Sequence, residues 1–157
     1  MESGERVITY RKANPEDIRP AFDFIEKVWK ESGFGKFDFL QKSVTRNTET
    51  FERYSSGKYV MNVAYTNKGI VGVICADDKG FILELFVDSE FERRGIATAL
   101  LSQAVCELKF RGFDIIGLGS SRIAIPFYEK FGFKKMGDVQ IINGFMTTPM
   151  EYTPNEI

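Results

Sequence analysis

The spacing of hydrophobic residues predicts strands and helices in mixed order. Residues 6–11 alternate apolar and polar side chains, which is typical of a strand. From Pro15 to Trp29, apolar residues recur every three or four positions, which predicts a helix that Asn14 is placed to cap. Residues 37–56 fit a second helix only loosely.

The middle of the chain predicts three strands joined by tight turns. They cover about residues 58–65, 70–76 and 81–87, and a turn that contains glycine separates each from the next. The third of these strands is apolar on both faces except at Glu84. A strand of this kind belongs in the centre of a sheet.

The remaining residues predict two helices and three strands. An apolar stripe at helical spacing begins at Ile96. The later elements are a strand at 114–118, a helix at 123–131, and strands at about 134–142 and 145–152. The complete order is β-α-α-β-β-β-α-β-α-β-β. Because no repeat or linker divides it, we expect residues 1–157 to form a single domain.

The absence of histidine narrows the chemistry that the chain can perform. Histidine triads and histidine-ligated metal sites are excluded, and we expect no metal. The net charge of -1 does not indicate a nucleic-acid partner, and no apolar run reaches the roughly 18 residues of a membrane span. The N-terminus lacks the apolar core of a signal peptide. We therefore expect a cytoplasmic protein in which Cys75 and Cys106 are buried, reduced thiols.

The most informative segment runs from Leu83 to Leu101, where a central strand leads through a basic, glycine-bearing turn into a helix. Backbone N–H groups at a helix N-terminus have no partner within the helix, and with the helix dipole they bind anions. The segment therefore predicts a phosphate site, and a plain helix start with a solvated arginine pair is the alternative. The residues of this predicted site are Arg93, Arg94, Gly95, Ile96, Ala97 and Thr98.

Two linked motifs carry a resemblance to a known family. The hexapeptide Glu92–Ala97 resembles the motif [Q/R]-x-x-G-x-[G/A] of the GNAT superfamily of acyl-CoA N-acetyltransferases. In that family the motif begins the helix that follows the fourth strand. This chain departs from it at the first position, where Glu92 replaces Gln or Arg. The segment Ser121–Phe133 resembles N-x-x-A-x-x-[FL]-Y-x-x-x-G-F, a block that often ends this fold, with Ser121 in place of Asn. The motifs stand in the expected order, with a short strand between them.

The resemblance implies an α/β fold with a mixed, mostly antiparallel sheet of six to seven strands and about four helices. Its fourth and fifth strands would be parallel and splayed. It also implies an enzyme that acetylates a primary amine of a small molecule or peptide with acetyl-CoA, by direct attack through a tetrahedral intermediate. A non-catalytic acyl-CoA sensor or interaction module is the alternative. Homodimers are common among similar proteins, and this sequence leaves dimerisation open.

The resemblance also implies roles for individual residues. Backbone groups near Leu85, Phe86 and Val87 would pair with the pantetheine arm as an added strand does. The N–H near Leu85 would polarise the thioester carbonyl. Tyr128 would protonate the leaving CoA thiolate, with core packing as the alternative, and Ser121 would contact the pantetheine arm.

Glu84 is the only ionisable side chain of its strand. A carboxylate near the acyl group can take a proton from an amine, so Glu84 is a candidate general base. Because side chains alternate along a strand, Glu84 points away from Leu83 and Leu85 and need not face the acceptor. A structural ion pair for Glu84, and deprotonation of the amine through ordered water, are the alternatives.

Acceptor specificity in this family comes mainly from the first two helices and the late hairpin. That part of this chain is rich in aromatic residues, most of which core packing explains. The irregular stretch Phe34–Phe39 predicts a pocket wall. Glu31 and Asp38 are acids that would attract a cationic amine, and solvated surface positions are the alternative for both. The acceptor itself stays open among small amines, antibiotics, amino acids and peptide N-termini.

Overall fold

The structure is a computed structural model that describes residues 7–31, 48–142 and 144–154. The helices in these ranges are α1 (Pro15–Glu31), α2 (Thr48–Ser55), α3 (Ile96–Phe110) and α4 (Ile125–Phe131). The strands are β1 (Thr9–Lys12), β2 (Val60–Thr66), β3 (Gly69–Ala76), β4 (Phe81–Val87), β5 (Ile116–Ser120), β6 (Lys134–Lys135), β7 (Gln140–Ile142) and β8 (Phe145–Tyr152). None of these helices is long and apolar enough to cross a membrane.

The strands form one mixed sheet in the order β1-β2-β3-β4-β5-β8-β6, and β7 pairs with β8. Neighbouring strands are antiparallel except β4 and β5, which are parallel. The parallel pair is short, since only Phe81 with Gly117 and Ile82 with Leu118 are in register. The sequence prediction of a mostly antiparallel sheet with a splayed parallel pair in its centre is therefore confirmed.

The predicted number of strands was too small, because the late strand expected at about 134–142 is two strands. Lys135 pairs with Met150, and Gln140 pairs with Thr147. The chain therefore advances five positions from Lys135 to Gln140 while β8 advances only three from Thr147 to Met150. The two extra residues leave the ladder opposite Pro149, which has no N–H to donate. Its carbonyl still accepts a hydrogen bond from the backbone N–H of Met136 at 2.8 Å. The described sheet therefore has eight strands rather than six or seven.

Helix α1 begins where Asn14 and Pro15 predict it, and the side chain of Asp17 in its first turn bonds back to Asn14. The backbone N–H of Asn14 donates to Oδ2 of Asp17 at 2.8 Å. Arg11 of β1 donates to Oδ1 of the same carboxylate, also at 2.8 Å. Asp17 therefore fastens the start of α1 to the sheet, with the apolar stripe of the helix facing β3 and β4.

Helices cover both faces of the sheet, and each face has its own hydrophobic cluster. On one face α3 packs over the central strands, and on the other α1 and α2 pack over β2 and β3. Buried residues of the first cluster include Ile74, Ile82, Ile96, Leu100, Leu101, Leu108, Ile116 and Phe133. Those of the second are Ile18, Ala21, Phe22, Phe24, Ile25, Tyr54, Met61, Val63, Val73 and Cys75. Cys75 is therefore buried as predicted, whereas Cys106 lies on the exposed side of α3, so the prediction that it is buried was wrong.

The first turn of α3 lies directly over Gly72 of β3. A Cβ atom at Gly72 would stand 2.9 Å from Cγ2 of Ile96 and 3.0 Å from Cδ1 of Leu100, which is inside van der Waals contact. Gly72 is also the register partner of Val87, the last residue of β4. The missing side chain therefore lets the N-terminus of α3 lie beside the C-terminal end of β4.

We expect the substitution Gly72→Ala to lower the free energy of unfolding by about 1–3 kcal/mol, because the added methyl group overpacks the contact with α3. Urea-induced unfolding measures this change. Gly137→Ala is the matched control, since its Cβ would stand 3.7 Å from Cγ of Pro149, and its effect is expected to stay within about 0.5 kcal/mol. Equal unfolding free energies for the two variants would show that α3 has room above β3.

Candidate functional site

The edge of β4 that faces β5 is open beyond Ile82. On its other edge β4 stays paired with β3 as far as Val87, but the pairing with β5 ends at Ile82 and Leu118. From Leu83 to Val87, the backbone groups on this edge have no strand partner among the described residues. Backbone N–H and C=O groups in this state can pair with an extended ligand as with an added strand.

A β-bulge in β4 decides which side chains reach each face of the sheet. Glu84 lies opposite Cys75, whereas Ile82 lies opposite Ala76, so Leu83 is an extra residue. Ile82, Leu85 and Val87 consequently contact the cluster beneath α3. Phe86 contacts the opposite cluster, and Glu84 points to that same face beside Cys75. Glu84 therefore lies on the side of α1 and α2, as the alternation with Leu85 predicted.

A cleft of about 380 Å³ lies on the α3 side, where the end of β4 meets the starts of α3 and α4. It includes parts of both sequence motifs and the open end of β4. The lining residues are Leu85, Val87, Phe91, Glu92, Arg93, Gly95, Ile96, Ala97, Thr98, Ala124, Phe127 and Tyr128.

The turn before α3 has the backbone geometry of an anion site. Arg93 has φ 66° and Gly95 has φ 80°, so two positions within three residues are left-handed. For Arg93 this conformation costs about 1–2 kcal/mol, and strain of this kind is common where a ligand is held. No side chain of the described residues caps α3 at its N-terminus. The N–H groups of Ile96, Ala97 and Thr98 are therefore available to an anion at the cleft.

The two arginines of the turn are placed differently. Arg93 lines the cleft, whereas the guanidinium of Arg94 lies over the ring of Phe91, 4.9 Å from its centroid. A cation held against an aromatic face has less freedom to reach a ligand. Of the predicted pair, the geometry therefore places Arg93 at the cleft and Arg94 beside it.

Tyr128 reaches the cleft from α4 and is held by aromatic neighbours. Its ring makes edge contacts with Phe127 at 5.1 Å and Phe133 at 5.7 Å between centroids. Burial raises the pKa of Tyr128 to about 12. The phenol therefore keeps its proton at neutral pH, which is the state that a proton donor needs.

Ser121 does not line the cleft. Its hydroxyl accepts a hydrogen bond from the backbone N–H of Ala124 at 3.3 Å, and its carbonyl accepts one from the hydroxyl of Ser120 at 2.7 Å. Both bonds hold the turn that leads into α4. In this structure Ser121 stabilises the approach to Tyr128 rather than contributing a side chain to the cleft.

Glu84 is a partly buried acid whose neighbours among the described residues are neutral. Its register partner Cys75 hydrogen-bonds the hydroxyl of Tyr54 from α2, and burial raises the pKa of both groups. Burial also raises the pKa of Glu84 to about 7. None of the described residues forms an ion pair with Glu84, so the structural ion pair considered from the sequence is not formed among them. A carboxyl that titrates near neutral pH can exchange a proton with a substrate.

The structure brings together most of the residues that the sequence singled out. Those at the cleft are Leu85, Val87, Arg93, Gly95, Ile96, Ala97, Thr98 and Tyr128. Glu84, Phe86, Arg94 and Ser121 lie outside its lining. The side chain of Phe86 packs on the opposite face, although its backbone belongs to the open edge of β4. The predicted pocket wall at Phe34–Phe39, with Asp38, falls outside the described residues.

Sequence reasoning missed four lining residues, which are Phe91, Glu92, Ala124 and Phe127. All four lie inside or next to the two motifs, so their position in the chain was the available signal. Within the described part of the chain, no cluster of three or more Cys, Asp or Glu residues is arranged to hold a metal ion.

Comparisons with known proteins give the family. The model of the acetyltransferase (GNAT) domain matches residues 25–154. An uncharacterised N-acetyltransferase of Methanocaldococcus jannaschii is 29% identical over 154 residues, which cover 90% of this chain and 66% of that protein. N-acetyltransferase 8 of Homo sapiens is 35% identical over 78 residues, which cover 44% of this chain and 34% of that protein. The chain thus spans about two thirds of the first relative's length and one third of the second's.

Solved structures show the same fold. A GNAT acetyltransferase of Staphylococcus aureus has a TM-score of 0.74 at 20% identity, covering 94% of this chain and 99% of that one. An aminoglycoside 6′-N-acetyltransferase complexed with coenzyme A has a TM-score of 0.70 at 21% identity, covering 94% of this chain and 96% of that one. The match of the family model over residues 25–154 shows that the chain belongs to the GNAT acetyltransferase family.

Proposed function

We propose that this chain, acting as a single domain, transfers the acetyl group of acetyl-CoA to a primary amine by direct attack. The observation that supports this most is the meeting of three features at one cleft. They are the uncapped N-terminus of α3, the open edge of β4 and the protonated phenol of Tyr128. A sensor that only binds acyl-CoA needs the first two features but has no use for a proton donor.

The cleft fits the phosphate and pantetheine parts of the co-substrate. The N–H groups of Ile96, Ala97 and Thr98 would hold the diphosphate, and Arg93 adds a positive charge. The backbone from Leu85 to Val87 would pair with the amides of the pantetheine arm. When bound, acetyl-CoA supplies an acyl group activated as a thioester and a thiolate that can leave.

Proton removal from the ammonium group and proton donation to sulfur take place on opposite faces of β4. On the acceptor side, ionised Glu84 takes a proton from the ammonium group and frees the lone pair of the nitrogen. The N–H near Leu85 donates to the acyl oxygen while the C–N bond forms. On the cleft side, Tyr128 donates its proton to sulfur as the C–S bond breaks. The tetrahedral nitrogen releases its second proton, which restores the phenol of Tyr128. The products are an amide, CoA thiol and protonated Glu84, which returns its proton to solvent.

A two-step experiment tests this function. Thermal shift with acetyl-CoA and with CoA first measures binding, and a chromogenic thiol reagent then measures CoA release across a panel of primary amines. We expect acetyl-CoA to raise the melting temperature and at least one amine to accelerate thiol release. Stabilisation without thiol release for any amine class would favour the sensor, and no stabilisation would contradict both.

Glu92 gives a separate prediction, because it places a negative charge in the lining of an anion site. We expect Glu92→Gln to lower the Kd for CoA by about two- to fivefold at low salt, the size of an exposed charge interaction. The gain should shrink as salt is added. Isothermal titration measures both effects, and Glu90→Gln, an exposed acid outside the lining, is the control. Weaker binding by Glu92→Gln would mean that Glu92 contributes a contact of its own.

A further inference from the structure

Three aromatic rings from distant parts of the chain meet on the face of β4 opposite the cleft. Trp29 of α1 makes edge contacts with Phe86 of β4 at 5.9 Å and with Phe145 of β8 at 5.3 Å between centroids. Each of the three residues is only partly buried, so each keeps a solvent-accessible surface. We call these three residues the aromatic cluster.

The aromatic cluster lies on the same face of β4 as Glu84. Phe86 follows Glu84 by two residues beyond the bulge, so their side chains leave the strand in the same direction. The groups next to Glu84 are the hydroxyl of Tyr54 and the thiol of Cys75, which are neutral at physiological pH. In the described ranges no cation pairs with Glu84. This face therefore offers a ligand one carboxylate beside aromatic surface.

The hairpin that carries Phe145 extends this apolar surface. Ile142 of β7 is the register partner of Phe145, so the two side chains lie on the same face, and Ile142 is 51% exposed. Exposed aliphatic surface that continues an aromatic cluster is typical of a binding site.

We propose that the acceptor is a primary monoamine whose amino group is carried on an apolar body, with the amino group at Glu84 and the body against the aromatic cluster. This deepens the proposed function and depends on it. A single ammonium group is matched by a single carboxylate and by the electron-rich faces of aromatic rings. A second charge on the acceptor that met only the apolar surface of the aromatic cluster would leave water without gaining a partner there, which is unfavourable. Polyamines and other multiply charged acceptors are therefore disfavoured.

The chain contains a single tryptophan, so the fluorescence of Trp29 reports directly on the aromatic cluster. The protein is titrated, with and without CoA, with 2-phenylethylamine, hexylamine and hexane-1,6-diamine. We expect a saturable change in Trp29 fluorescence with the two monoamines. The diamine, which differs from hexylamine by one added charge, should bind roughly tenfold more weakly.

Variants test whether the rings themselves provide the contact. Phe145→Ala is expected to weaken binding of 2-phenylethylamine by roughly three- to tenfold, and Phe145→Leu, which preserves packing, should weaken it too. Phe110→Ala makes the same change at an 88% exposed site at the far end of α3 and should have no effect.

The outcomes separate this proposal from the proposed function. Absence of a saturable fluorescence change, or equal affinity for the diamine and hexylamine, overturns the monoamine proposal even if acetyl transfer to some amine is observed. A Phe145→Leu variant that binds 2-phenylethylamine like the unaltered chain overturns it as well. Failure of CoA to bind contradicts the proposed function, while the titrations without CoA still decide whether monoamines bind at the cluster.

Discussion

Replacing Tyr128 by phenylalanine is expected to lower kcat by about 10²- to 10⁴-fold, the usual contribution of a positioned general acid. The ring contacts with Phe127 and Phe133 do not involve the hydroxyl, so the aromatic packing of α4 should persist in Tyr128→Phe. Affinity for acetyl-CoA should change little, because backbone groups of β4 and α3 hold most of the ligand. Steady-state kinetics with a saturating amine, together with calorimetric titration of acetyl-CoA, measure the two quantities.

The control for this prediction is Tyr152→Phe. Tyr152 stacks on Phe133 at 5.3 Å and contacts Phe131, so it belongs to the same aromatic group without lining the cleft. The loss of its hydroxyl should leave kcat close to that of the unaltered enzyme. If Tyr128→Phe and Tyr152→Phe turned over equally fast, the role of Tyr128 would be packing alone.

Glu84→Gln is expected to reduce kcat/KM at pH 8 by about 10²- to 10⁴-fold, because glutamine cannot take a proton from the ammonium group. Burial raises the pKa of Glu84 to about 7. In the unaltered enzyme, kcat/KM should therefore rise with pH and level off above about 7, as the carboxyl ionises. The pH profile of Glu84→Gln should lack this rise. A rise with the same midpoint in the variant would transfer the base role to another group or to water.

The same substitution should stabilise the fold at alkaline pH. In the folded chain Glu84 keeps its proton up to about pH 7, whereas in the unfolded chain it ionises near pH 4.5. Stability from the protonated carboxyl is complete below pH 4.5 and is lost as pH rises to about 7, by at most about 3 kcal/mol. Glutamine does not ionise and avoids this loss. Urea unfolding at pH 5 and pH 8 should show a gain for Glu84→Gln only at pH 8, with the exposed Glu52→Gln as control.

Features that depend on neighbouring residues in the chain were predicted well. The apolar stripe after Pro15 and the stripe after Ile96 each correspond to a helix, and the strand from Phe81 to Val87 lies in the centre of the sheet as its apolar faces indicated. The turn before α3 was also found, because a basic glycine turn between a strand and a helix is visible in a few consecutive letters. Its left-handed glycine, Gly95, was part of the motif.

Features that depend on which partner a residue contacts were predicted less well. The late strand divides because Pro149, on the neighbouring strand, cannot donate a hydrogen bond. Arg94 lies over Phe91, and Ser121 accepts a hydrogen bond within the turn before α4, while the contacts of both residues with CoA stay predictions. The contacts of Arg94 and Ser121 join residues only three positions apart, and the motifs alone do not reveal them.

The sequence by itself indicated the order of the elements as far as the late strand, the family and the glycine turn before α3, because each depends on short-range periodicity or on a contiguous motif. Only the tertiary structure decided which face Glu84 occupies beside Tyr54 and Cys75, since a bulge in β4 and the packing of α2 set its surroundings. It also decided that Trp29, Phe86 and Phe145 meet. Contacts between residues so far apart in the chain form only when the helices pack on the assembled sheet, and no local sequence pattern predicts them.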